Sequence, residues 1–455
     1  MKIDTNFRLF VFLSIIMISH TLLSQSQSKQ RMSLKAGAAK VHITPSTNEL
    51  SSNWLGILDS IYCRAIVVDN GLTSTALVTV DIGAMSDQVW KNLSQHVERE
   101  LGIPASNVFL TATHTHSVPF GFGGEKFEQQ LFASVKAAKA NLKPARIGYG
   151  SGASYINVNR NSIDQKTGRW GEGPNYEGPS DKTVAVVKFE SLNGDPIAVY
   201  YNYAMHGVTV GQLDMISGDA PGATSRYIED SFDNKIVAVW STGACGDQNP
   251  LYFQQTYDLR EIRIKDYAKR GEDISNSMPP GGVGLNRNES KVAKLMNQQK
   301  QMILSMGQFL GEEVMHVMRG IERTETSAKI VVAQKIITCP GRKRTNTGRA
   351  GYAGTYEDAA PIDIRLGFLL IDDIAISSVN AEIFNPIAQR LKKESPFAHT
   401  MMVTLTNGFA DSGYIPNDAA FGNYTFEVVS SNLKPGFAEN AIVNGILDMM
   451  EDAKK

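Results

Sequence analysis

The residues best suited to chemistry lie in Thr111-Ala112-Thr113-His114-Thr115-His116-Ser117, just after the apolar run Val108-Phe109-Leu110. Imidazole is the commonest protein metal ligand and the usual acid or base near neutrality. Two of them past the carboxyl end of a short strand sit where open α/β sheets bind ligands. An isolated H-x-H also fits a plain hairpin end with two solvated rings, so other residues must decide. His206, in Tyr203-Ala204-Met205-His206-Gly207, again follows a strand. Ser217-Gly218-Asp219 ahead of Pro221 predicts a helix entry capped by Ser217 or Asp219, its first N–H groups open to a developing oxyanion. The strand 235–240 runs into Gly243-Ala244-Cys245-Gly246-Asp247-Gln248-Asn249-Pro250, where glycines let the backbone approach a ligand. Glu382, between an apolar strand and a helix, suits either a metal carboxylate or a dipole-stabilised acid. Tyr414 lies in the loop Ser412-Gly413-Tyr414-Ile415-Pro416. Asp219, Asp247 and Arg344 are expected on the substrate side.

The elements that must position these groups alternate between hairpins and helices. Residues 64–69 and 76–81 read as a hairpin around Asn70-Gly71. Strand pairs are also predicted at 183–190 with 197–203, and at 366–370 with 374–379. Helices are predicted over 86–101, 126–142, 289–323 and 436–453, the last with Ile442, Ile446 and Met449 inward. This pattern implies a layered α/β domain, a mixed sheet flanked by helices. Two stretches, 254–287 and 341–360, read as long irregular loops; the second, either a lid or a solvated flexible loop, carries Arg342, Lys343, Arg344 and Arg349. His42, His96, His316 and His399 are expected to be structural or exposed.

The chain has 455 residues, enough for a sizeable core, with 42% hydrophobic and 20% charged residues. A formal net charge of -1 gives no reason to expect nucleic acid as a partner. Lys2 and Arg8, the apolar run 9–18 and the small polar tract 24–28 read as a signal peptide over residues 1–28. No later stretch is apolar enough to span a bilayer, so the mature chain is expected to be secreted or periplasmic, without a transmembrane segment. Cys63, Cys245 and Cys339 are too few and too scattered for a disulfide framework and are read as structural.

Taken together, T-x-T-H-T-H-S at Thr111–Ser117, N-x-N-R at Asn157–Arg160, M-H-G at Met205–Gly207, S-G-D at Ser217–Asp219 and G-x-x-G-D at Gly243–Asp247 resemble the catalytic domain of the neutral/alkaline ceramidase family. The resemblance runs from about residue 36 to 455. Members of that family are zinc amidohydrolases that cleave the N-acyl bond of ceramide. The resemblance implies zinc held by His114, His206 and Glu382, with Tyr414 as the metal-site tyrosine. It also implies that His116 and Arg160 act on the scissile group and its oxyanion. On the premise that the backbone stays extended and turns His116 away from His114, His116 is expected to serve the substrate rather than the ion.

Two departures from the family pattern shape the functional expectation. Where ceramidases carry G-D-x-S-P, this chain has Gly246-Asp247-Gln248-Asn249-Pro250, and an amide is no nucleophile. Asn249 is therefore expected to act only as a hydrogen-bonding group beside a metal-activated water. The β-sandwich domain that follows in ceramidases is also not expected here. The basic segment around Arg344 suggests an acyl substrate more polar than ceramide, whether small, lipid-derived or glycan-derived. The alternatives are a metal enzyme acting on a glycan or ester, and a metal- or glycan-binding homologue without turnover.

Overall fold

The computed structural model describes residues 33–52, 54–119, 121–211, 214–275, 285–346 and 350–455. The predicted signal peptide and Arg349 lie outside them.

Eight strands form one mixed sheet in the order Val237–Thr242, Pro196–Tyr203, Thr183–Ser191, Lys143–Ala153, Lys35–His42, Tyr62–Asp69, Ser74–Val80 and Val108–Ala112. A second sheet of four runs Ile330–Arg344, Tyr356–Ile371, Ile374–Val379 and His399–Val403. Strand alternation decides what each face meets. Ile66, Val68, Leu77 and Phe109 of the large sheet pack on Leu369, Ile371, Ile376 and Met401 of the small one. The intervening Ala65, Val67, Val78 and Leu110 turn to the other face, towards helices Asp87–Leu101 and Glu125–Ala140. Helices Asp219–Ser231 and Ser290–Gly320 cover the rest of that face. The outer face of the small sheet buries Leu366, Phe368 and Leu370 under helices Asn385–Glu394 and Ala438–Lys454. The layered α/β expectation therefore holds, in the specific form helix, sheet, sheet, helix.

Three parallel pairs set where the chemistry lies. Ser74–Val80 runs parallel to Val108–Ala112, Pro196–Tyr203 to Val237–Thr242, and Ile374–Val379 to His399–Val403. Their carboxyl ends meet and are laced together across the two sheets. Thr404 N–H donates to Thr242 O at 2.8 Å, Thr242 Oγ1 to Ala112 O at 2.8 Å, and Leu405 N–H to Ala381 O at 3.3 Å.

Both predicted loops need correction. Residues Gln254–Ala268 form a helix whose buried positions are Thr256, Leu259, Arg263 and Tyr267. Only one of those is aliphatic, so the helical period was hidden. Within the second stretch, residues 341–344 and 356–360 are strand, the distal end of the long Ile330–Arg344 and Tyr356–Ile371 hairpin. That end stands largely in solvent and shows no apolar alternation. Of its basic residues, Arg342 is engaged rather than poised as a lid. Arg342 is buried, donates to Val428 O at 2.8 Å, and lies 4.0 Å from the centre of the Tyr356 ring. All three cysteines are free and buried, in keeping with the structural reading.

Candidate metal centre

His114, His116 and His206 of the centre each follow the carboxyl end of one of these strands. His114 follows Val108–Ala112 and takes φ 64, a left-handed value. The extended-backbone premise for His116 therefore fails, and two residues apart on one extended strand would in any case share a face. His116 turns into the same cluster, with its Nε2 3.4 Å from His114 Nε2. His206 is reached three residues after Pro196–Tyr203, and its loop is stitched to the first by a 2.8 Å bond from His116 N–H to Gly207 O. Glu382 and Tyr414 are register partners in a short parallel pair, which puts both on one face.

The rings of His114 and His206 lie 4.5 Å apart, and the ligand atoms of His114, His116 and His206 all fall within 4.8 Å of one another. His114 Nδ1 is 2.6 Å from Gly83 O and His206 Nδ1 is 3.0 Å from Gln248 O. A carbonyl oxygen only accepts, so each Nδ1 carries the proton and each Nε2 keeps a lone pair. Both Nε2 atoms then face the same acceptor, Glu382 Oε2, at 3.1 Å each. One added proton relieves one of these contacts and leaves the other. A cation between the three atoms relieves both, and the donor set of two imidazoles and a carboxylate suits zinc. The residues present therefore fit a divalent ion.

The electrostatics follow from burial. Burial and the nearby Arg160 charge push His206 down to about 3. Burial, then His114 and His206, hold His116 well below its ordinary value, so it stays neutral with a lone pair. Burial works to raise Glu382, but the two histidines packed against it outweigh burial and hold its carboxyl well below the ordinary value. Burial and the Glu382 charge push Tyr414 well above the phenol range, so its hydroxyl keeps its proton.

Arg160 forms the second half of the site. Its Nη1 lies 3.3 Å from His206 Nε2 and donates to Asn249 Oδ1 at 3.2 Å. Its Nη2 donates to Gly246 O at 2.7 Å and to Tyr414 Oη at 3.3 Å. Its Nε donates to buried Glu427 at 2.7 Å, and the guanidinium lies 4.7 Å from the centre of the Phe426 ring. Asn249 passes the network on, its Nδ2 donating to Glu172 Oε1 at 3.1 Å and to Tyr257 Oη at 3.4 Å.

His114, His116, His206, Glu382, Arg160, Asn249 and Tyr414 are thus brought together. The three residues expected on the substrate side have other partners. Asp219 accepts Val210 N–H at 2.9 Å and Ala220 N–H at 2.7 Å. Gly218 takes the cap position without a side-chain bond, while Gly218 N–H goes to Asp59 and Asp219 N–H to Ser217 Oγ. The first N–H groups of that helix are therefore used within the protein rather than open to an oxyanion. Asp247 accepts Asn385 N–H at 2.9 Å and Asn159 Nδ2 at 3.0 Å. Arg344 stays on the exposed hairpin, bonded to Asn346 at 3.0 Å. The sequence reading missed Glu427 and Glu172. Glu427 has no local signal, whereas Glu172 had one weak signal in its flanking glycines, Gly171 and Gly173.

Fold and site together define a layered α/β protein with a buried imidazole–carboxylate cluster whose ligand atoms lie close enough to share a cation. More specifically, the chain belongs to the neutral/alkaline non-lysosomal ceramidase family, whose N-terminal region matches residues 48–369. The neutral ceramidase of Pseudomonas aeruginosa is 27% identical over 257 residues, 50% of this chain and 38% of that enzyme. Neutral ceramidase B of Dictyostelium discoideum is 30% identical over 171 residues, 32% of this chain and 24% of that protein. These matches take in well under half of each relative's length. The solved neutral ceramidase from Pseudomonas aeruginosa superimposes with a TM-score of 0.67 at 15% identity, covering 93% of this chain and 75% of that one. A structure described as ceramidase complexed with C2 gives 0.68 with the same coverage. At that identity the likeness is one of fold. Among the described residues, no helix is long and apolar enough to cross a membrane.

Proposed function

We propose that this chain is an exported, zinc-dependent hydrolase of N-acyl bonds, acting on an acyl substrate more polar than ceramide. The observation that carries the reading is the set of three mutually facing acceptors, His114 Nε2, His206 Nε2 and Glu382 Oε2, with Arg160 beside them. Family membership supports amide cleavage, and the segment from Lys2 to Ser28 supports export. When bound, zinc supplies Lewis acidity, acidifying water and polarising a carbonyl. The remaining roles fall to the chain itself. Neutral His116 takes a proton and returns it to the departing nitrogen. Arg160 offers its Nη1 edge to the oxygen on which negative charge builds. Asn249 has no nucleophilic atom; its Oδ1 fixes Arg160 from the far side. Tyr414, still protonated, donates its O–H into the same space.

Metal content measured on the purified protein beside His114→Ala and His206→Ala tests the first part. One zinc per chain in the wild type and little in either variant is the expected result; unchanged content in both would overturn the site. Release of free amine from ceramide, N-acyl amino sugars and acylated uronides tests the second. A second reading rests on Asn249 standing where the resemblance calls for serine. On that reading the chain binds metal without turnover, and zinc bound with no substrate cleaved would favour it. Product mass separates an amide or ester hydrolase, which adds water, from an eliminating enzyme, which does not.

A further inference from the structure

Beside the centre, four polar side chains from three separate elements converge. Glu172 comes from the strand Arg169–Asn175, Arg260 and Tyr257 from the helix Gln254–Ala268, and Asn249 from the short strand Gln248–Pro250. Glu172 Oε2 pairs with Arg260, and Glu172 Oε1 accepts Asn249 Nδ2 at 3.1 Å. Asn249 in turn holds Arg160 Nη1, which lies 3.3 Å from His206 Nε2. Two side chains, Asn249 and Arg160, thus link Glu172 to His206 of the centre. Its side chain is 20% exposed and that of Arg260 29%, so both can be reached from solvent.

A carboxylate oxygen offers about two lone-pair directions, and each of these oxygens has one of them taken here. Glu172 therefore keeps acceptor capacity on a carboxylate that solvent reaches, held in place by Arg260 and Asn249. An acceptor-only group with a cation beside it suits a ligand bearing several hydroxyls, which both donate and accept. It suits an alkyl tail poorly, because covering Glu172 and Arg260 with methylenes would desolvate both charges without replacing their water.

We propose that Glu172 and Arg260 form the subsite for the amine half of the substrate, and that this half is a compact polyhydroxylated amine of the amino-sugar class. The inference rests on the N-acyl hydrolase reading above and adds the chemistry of the leaving group. Glu172 is the specificity-determining residue, and Arg260 orients it.

Three substrates with one common hexanoyl group test it on the zinc-loaded full chain: an N-acyl glucosamine, an N-acyl hexylamine and an N-acyl long-chain base. The wild type is expected to favour the glucosamine compound by about tenfold or more in kcat/KM over either of the others, the scale of one or two lost hydrogen bonds to a charged group. Glu172→Gln should reduce that preference severalfold, mainly through KM, and Glu172→Asp should move it the same way by less. Faster cleavage of the long-chain compound by the wild type overturns the proposal, as does a preference unchanged in Glu172→Gln. Calorimetric binding of free glucosamine and hexylamine provides a readout that does not need turnover. Glucosamine binding weakened in Glu172→Gln supports the subsite even if no substrate is cleaved, a result that would sink the hydrolase reading alone. Glucosamine binding no tighter than hexylamine binding counts against the subsite whatever the activity.

Discussion

At the scale of the residue, the site depends on charges kept in low dielectric by specific partners. Arg160 and Glu427 are both buried, and the 2.7 Å bond between them is the strongest reason Arg160 keeps its orientation. Breaking such a pair from one side leaves an uncompensated buried charge. Glu427→Ala should therefore cost about 3–5 kcal/mol in urea unfolding and also lower kcat. The double variant Arg160→Met with Glu427→Leu should recover much of the stability while activity stays lost, which separates the structural role of the pair from its chemical one. Asp219 supplies a pH test. Burial lifts its carboxyl from 3.8 to about 6, so between those values the folded state holds a proton that the unfolded chain has released. Stability from this group is then full below the unfolded value and lost as pH rises through the folded one. Compared with Asp219→Asn, the wild type should lose about 3 kcal/mol of relative stability from about pH 3.5 to about pH 7, at roughly 1.4 kcal/mol per unit of displacement. Unfolding curves at intervals of pH measure this, and a flat difference would refute it. His114, His206 and Arg160 were legible in the sequence because their motifs are local and dense. Glu427 was not, because its importance comes only from the partner it meets across the fold.

At the scale of the element, close backbone approach at two glycines holds the loops in register. A Cβ on Gly207 would lie 3.0 Å from His114 O and 3.1 Å from Thr115 Cα. One on Gly246 would lie 2.8 Å from Ile383 O and 3.1 Å from Glu382 O. Neither neighbour is a flexible side-chain tip, so the strands carrying the ligands must shift. Gly207→Ala should weaken metal binding by about 10–100-fold, as displaced outer supports of metal ligands do, with only a modest fall in melting temperature. Competition with a chromophoric chelator reads the affinity. Equal affinity in the variant would mean that the two histidine loops are not coupled through this contact. The same scale shows where sequence reading stops. Hairpin 62–80 and helix Asp87–Leu101 declared themselves through Asn70-Gly71 and the apolar stripe Val89, Leu93, Val97 and Leu101. Helix Gln254–Ala268 did not, since Thr256 and Arg263 fill its inward positions. The distal part of the 330–371 hairpin did not either, because a strand with two largely solvated faces has no alternation to read.

At the scale of the whole molecule, the centre is a junction between two sheets. His114 and His206 come from the large sheet, Glu382 and Tyr414 from beside the small one, and threonine bonds such as Thr242 Oγ1 to Ala112 O tie the strand ends beneath them. The unfolded chain holds these groups far apart, so it offers a cation no comparable site. An ion bound only by the folded state must then stabilise the entire stack rather than one loop. Free zinc at a thousand times its dissociation constant should add about 4 kcal/mol. Chelator-treated protein is accordingly expected to unfold in a single transition at lower temperature, with both sheets losing structure together, and zinc should restore it. His206→Ala should melt near the chelated wild type and gain nothing from added zinc. If zinc raised the melting temperature of wild type and His206→Ala equally, the stabilising ion would lie elsewhere, and the junction between the sheets would owe its cohesion to packing and the threonine bonds alone.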